Sequence, residues 1–80
     1  MDMKPLIETI VKALVDHPEA VAVECREGEA ALLCELSVHD DDIGKVIGKH
    51  GRTIQAIRTV VAAAAAGASK RVIVQVKDKG

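Results

Sequence analysis

No phenylalanine, tyrosine or tryptophan occurs among the 80 residues, although 49% of them are apolar. That much hydrophobic side chain favours a packed core over disorder. With no ring to fill space, the core has to be built from valine, isoleucine, leucine and twelve alanines, so its elements must approach closely. The same absence removes the aromatic platform on which nucleobases usually stack. A chain of 80 residues makes one domain, because a second core would need roughly 50 more. No apolar run approaches the ~20 residues of a membrane span. Met1-Asp2-Met3-Lys4-Pro5 lacks the basic stretch and cleavage site of a signal peptide, so the expectation is a soluble, cytoplasmic protein.

Periodicity gives the order of elements. Leu6, Ile7, Ile10, Val11, Leu14 and Val15 recur at helical spacing, which predicts a helix over about 3–16, closed by His17-Pro18. The period then drops to two: Val21, Val23 and Cys25 form one row, and Ala30, Leu32, Cys34, Leu36 and Val38 another. A turn at Glu27-Gly28 would set Cys25 opposite Ala30, Val23 opposite Leu32 and Val21 opposite Cys34, with both rows on one face. In that register the two cysteines share a face without being partners, which predicts free thiols packed as small hydrophobes in a reducing compartment. Asp40-Asp41-Asp42 offers a cap for a short helix carrying Ile43, Val46 and Ile47. A longer helix from about Arg52 carries Ile54, Ile57, Val61 and Ala64 and ends at Gly67, and Arg71 to Lys77 reads as a last strand. The order α-β-β-α-α-β predicts a two-layer α+β domain over 1–80, its three-stranded sheet covered by helices on one face.

Charge is divided unevenly. Residues 1–42 hold eleven of the twelve acids and three of the eleven bases, a balance of −8; residues 43–80 hold one acid and eight bases, +7. Either one half faces something negative, or the halves complement each other in the fold.

The stretch that carries chemistry is Asp42-Ile43-Gly44-Lys45-Val46-Ile47-Gly48-Lys49-His50-Gly51-Arg52-Thr53-Ile54. Glycines at both ends of a four-residue bend let the backbone turn tightly between two helices and leave its amides uncovered. The second helix starts at once, so its positive end points at the same place, with Lys49, Arg52, Lys45 and His50 adding donors. That combination suits a phosphate. A P-loop is excluded: Gly44-x-x-x-Gly48-Lys49 is one residue short, and His50 stands where Ser or Thr should hold magnesium. A helix-turn-helix would put the helix from Arg52 into a DNA groove, but apolar first turns leave only Thr53, Gln55 and Arg58 to read bases.

Ile47-Gly48-Lys49-His50-Gly51-Arg52 followed by Ile54 and Ala56-Ile57-Arg58 resembles the core of a KH domain, and the element order resembles the bacterial type II arrangement. Across essentially the whole chain the pattern is similar to the KhpA family of stand-alone KH proteins. The resemblance implies binding of about four single-stranded RNA nucleotides, phosphates on the loop and bases in an apolar groove. It assigns Gly48, Lys49, His50 and Gly51 to the phosphate loop and Val46, Ile47 and Ile54 to the groove, and the cations Arg52 and Lys45 read above as donors beside the bend join them as RNA-binding residues. It further implies a homodimer, pairing with a second KH protein of the KhpB type, and an RNA-chaperone or post-transcriptional role linked to cell shape and cell-wall homeostasis.

About three neutralised phosphates would cut binding roughly twentyfold between 50 and 200 mM salt. Without aromatic rings one copy should bind weakly and with little base preference, and two copies in a dimer would compensate. Arg58, Lys70 and Arg71 would complete a basic rim. His17, His39 and His50 are not spaced as a metal site, and no catalytic Ser/His/Asp or Cys/His arrangement is present, so neither an enzyme nor a cofactor is expected. The competing reading is a small dimerisation or scaffold module with weak or no RNA binding.

Overall fold

The computed structural model describes residues 3–67 and 70–77. Helix α1 spans Lys4–Leu14, with Pro5 in its first turn, where a missing N–H costs nothing, and Lys12 near the negative end of the helix dipole. Ile7 and Val11, one turn apart, are fully buried. A 3-10 turn at Pro18–Ala20 leads to strands β1 (Ala22–Glu27) and β2 (Ala31–Ser37). A second 3-10 turn, Asp40–Asp42, opens the short helix α2 (Ile43–Ile47). A third, Lys49–Gly51, joins it to α3 (Arg52–Ala64), and β3 (Arg71–Val76) follows. This is the expected helix–strand–strand–helix–helix–strand order of an α+β fold. α3 stops slightly before the expected Gly67, which adopts a positive φ of 91° in the turn that follows.

The sheet runs β1-β2-β3, with β1 antiparallel and β3 parallel to the central β2. The hairpin corrects the sequence reading. Its two-residue turn is Glu29-Ala30, closed by Gly28 N–H donating to Ala31 O at 2.8 Å, and Val23 lies opposite Leu36 rather than Leu32. Moving a turn by two residues slides the pairing by four and preserves parity, so both registers point the same side chains inward. The observed one sets Val23 against Leu36, which is fully buried, as Leu32 is not.

The slide also overturns the free-thiol expectation. Cys25 and Cys34 are direct partners, their Cα atoms 4.1 Å apart, and they form a disulfide. Directly opposed residues that exchange no ladder hydrogen bonds are the closest pairs across an antiparallel ladder, about 4.5 Å between Cα atoms. The inference of a reducing compartment from unpaired cysteines therefore falls with the register that supported it.

Val23, Cys34, Leu36 and Val74 line the inner face of the sheet; α1 brings Ile7 and Val11 to it, α2 brings Val46, and α3 brings Ile54, Ile57 and Val61. All are small or aliphatic, as the absence of rings requires. The opposite face carries Glu24, Arg26, Glu35 and Gln75, with Arg26 ion-paired to Glu35.

Candidate functional site

The Gly48–Gly51 bend is shaped by its backbone. Gly48 N–H donates to Gly44 O at 2.8 Å and ends α2; Gly48 itself sits at φ 76°, ψ 170°, a region essentially reserved for glycine. A Cβ there would lie 2.7 Å from Thr53 Cβ and 2.8 Å from Thr53 N, so the chain passes against the first turn of α3 with no room for a side chain. His50 (φ 59°, ψ 24°) and Gly51 (φ 73°, ψ 14°) are successive left-handed residues that return the chain into α3. Histidine tolerates this conformation better than most residues.

The bend uses part of its own polar backbone. Gly51 N–H donates to Gly48 O at 3.1 Å, and Arg52 N–H to Lys49 O. With Gly48 also engaged, the expectation of a wholly uncovered corner narrows to the amides of Lys49 and His50. The side chains of Lys49, His50 and Arg52 are exposed, and none of the three forms an ion pair with a described residue.

Lys45 is not part of this set. Its ammonium pairs with Asp16 and approaches Asp42 Oδ1 at 3.5 Å. The hydrogen bond to Asp16 raises the lysine's pKa, against the opposing effect of burial. Asp42, which the sequence offered only as a helix cap, is a fully buried anchor. Its carboxylate accepts from Asp16 N at 3.2 Å and His17 N at 2.9 Å, tying the end of α1 to the start of α2. Burial pushes this carboxyl upward, but the two amides, the charge of His17 and Lys45 outweigh it and hold its pKa below the usual value. No local spacing could have shown this role, because the donors lie far away in sequence.

Two of the apolar residues expected along the groove belong to the core instead. Val46 is fully buried and Ile54 is 5% exposed, so both serve mainly to pack the core, whereas Ile47 is half-buried. A groove does exist, between α3 and β3. It is a solvent-open cavity of about 480 Å³ lined by Ala62, Ala65, Val72 and Ile73, with Arg58, Lys70 and Arg71 among its polar residues. Ala62 on α3 and Ala65 just after it leave the space that larger residues would fill. Arg58 Nε donates to Val74 O at 3.1 Å, which places its guanidinium along the edge strand, and Lys70 pairs with Glu27 at 3.1 Å. Lys45 and Lys70 therefore satisfy acids of the first half, so the charge division is partly internal complementation.

Residues 4–76 match the family model described as KhpA/KhpB, KH domain. The chain is 53% identical over 74 residues to RNA-binding protein KhpA of Clostridium acetobutylicum, covering 92% of this chain and 99% of that protein. It is 47% identical over 76 residues to RNA-binding protein KhpA of Bacillus subtilis, covering 95% and 94%. These relatives carry the names of binding proteins rather than of enzymes, in line with a non-catalytic chain. Among solved structures, Era in complex with MgGDPNP and nucleotides 1506–1542 of 16S ribosomal RNA superposes with a TM-score of 0.64 at 17% identity, over 99% of this chain and 33% of that one, a likeness of fold. On the match of residues 4–76 and on identity at this level over nearly its whole length, the chain belongs to the KhpA/KhpB KH-domain family.

Proposed function

We propose that residues 1–80 act as a single KH domain that binds single-stranded RNA, holding its sugar–phosphate backbone at Gly48–Gly51. The observation that carries this reading is the bend itself: a tight turn whose exposed Lys49, His50 and Arg52 are unpaired among the described residues, while neighbouring Lys45 is held by acids. The amides of Lys49 and His50 and the cationic side chains contact phosphates. Ile47 flanks the loop, and the groove between α3 and β3 receives bases against alanine and valine, with Arg58 offering a planar cation in place of an aromatic ring. The names of the relatives support RNA as the ligand.

The role is that of an RNA chaperone or post-transcriptional regulator in the cytoplasm, exercised as a homodimer or with a KhpB-like KH protein, and bearing on cell shape and cell-wall homeostasis. Two copies raise the effective concentration of a weak single site. The test is RNA binding by the natural protein and by a Lys49→Asp/His50→Asp variant whose fold is checked by circular dichroism. A folded variant that has lost binding supports the proposal, and one that retains RNA equally well refutes it. Duplex DNA serves as the competitor that a helix-turn-helix would prefer.

A further inference from the structure

His17 and His39 lie far apart in sequence, yet the fold stacks their rings with centroids 4.1 Å apart and planes 23° from parallel. Asp41 stands beside them, and a ring nitrogen of each histidine and a carboxylate oxygen of Asp41 all lie within 4.8 Å of one another. We propose that His17, His39 and Asp41 form a binding site for a divalent transition-metal ion of the Zn(II), Ni(II), Co(II) class.

The spacing suits such an ion. Ligands held about 2.0–2.1 Å from a tetrahedral zinc stand roughly 3.3–3.4 Å apart. His39 Nδ1 is already 3.7 Å from Asp41 Oδ2, and His17 Nδ1 is 3.6 Å from Glu19 Oε1, which puts a second carboxylate at the margin. Stacked rings do not aim at one point, so each must turn about its χ2. That torsion is soft, and the side chains are 37% and 43% exposed, leaving room to swing and water to complete the coordination.

The main chain around the three residues is fixed. His17 N–H donates to buried Asp42 at 2.9 Å, Asp42 N–H donates to His39 O at 2.8 Å, and Asp41 N–H donates to His39 Nδ1 at 3.1 Å. One anchor therefore holds both histidine-bearing segments in register, an ordering that a metal site otherwise has to impose on its ligands. An ion would displace the Asp41 N–H from His39 Nδ1, or take the other ring nitrogen. Two imidazoles with a carboxylate favour borderline metals over Mg(II) or Ca(II), which prefer oxygen alone. The site lies at the start of α2 and the RNA bend at its end, so metal binding can be read without RNA.

The experiment is a titration of the natural protein, disulfide intact, with ZnCl2 and separately with MgCl2, followed by the imidazole NMR signals and by thermal unfolding. Zn(II) is expected to shift the His17 and His39 signals together, to leave His50 as the internal reference, and to raise the melting temperature. His17→Gln and His39→Asn, both at exposed side chains, are each expected to weaken zinc binding at least tenfold. His50 responding equally with the other two, Mg(II) acting as strongly as Zn(II), or variants binding as the natural protein does would each overturn the proposal. The NMR comparison needs no variant and decides the matter if a substitution fails to fold.

Discussion

The two glycines that bound the bend have nearly equal φ, yet replacing them should have very different consequences. At Gly51, φ 73° and ψ 14° are left-handed, and an added Cβ would meet nothing within 4 Å. Gly51→Ala therefore costs the left-handed conformation alone, about 1–2 kcal/mol. At Gly48 the pair φ 76°, ψ 170° costs about 1–3 kcal/mol for any other residue. In addition, the Cβ would press on Thr53 Cβ and N at 2.7 and 2.8 Å, inside the first turn of α3. Relief would require α2 and α3 to separate, so Gly48→Ala should cost at least ~3 kcal/mol, which adds overpacking to the backbone term. In a domain of this size each ~1 kcal/mol moves the melting temperature by about 4–8 °C. Urea and thermal denaturation followed by circular dichroism would measure both variants. Adding Thr53→Ala to Gly48→Ala should recover only part of the loss, because the Thr53 backbone and Cβ positions remain. Equal losses for Gly48→Ala and Gly51→Ala would refute the steric argument, and a near-neutral Gly48→Ala would refute the conformational one.

With Lys45 engaged elsewhere, the bend supplies two firm cations, Lys49 and Arg52. RNA affinity should then fall about sevenfold between 50 and 200 mM salt rather than twentyfold, and Lys49→Ala should reduce the salt slope by about 0.7. A filter-binding series across salt would check both. The lowered pKa of Asp42 means that its contribution to stability is whole above the ordinary carboxyl value and is lost as pH falls through the lower folded value. Asp42→Asn should accordingly flatten the acid side of the stability–pH curve, measured by urea unfolding at a series of pH values. Reducing the Cys25–Cys34 disulfide should lower stability by about 2–3 kcal/mol through the freed loop, measured with and without dithiothreitol.

How far the sequence could be read follows from the range over which each feature is encoded. Helical and twofold periodicities are local, and Ile7, Val11, Ile57 and Val61 are buried as their spacing indicates. The Gly48–Gly51 bend was visible because its glycines and flanking apolar residues are contiguous. The hairpin register was not, since alternation is blind to a slide of four residues, and the disulfide was lost with it. Asp42 looked like one acid among three, because its partners Asp16 and His17 arrive only through tertiary folding. The His17–His39 stack was hidden for the same reason. Lys45 read as part of the basic loop because an ion pair with Asp16 cannot be seen from one side of it.

Helix α2 has only five residues, too few to persist without outside support. Its support comes from buried Val46 and from the Asp16–Lys45–Asp42 cluster at the end opposite the bend. The bend thus hangs from a segment with little cohesion of its own, so weakening that remote cluster should loosen it while the β-sheet stays intact. Opening of this arm ahead of global unfolding is therefore the expected first event when the domain loosens, and α2 amides should exchange with solvent sooner than those of the sheet.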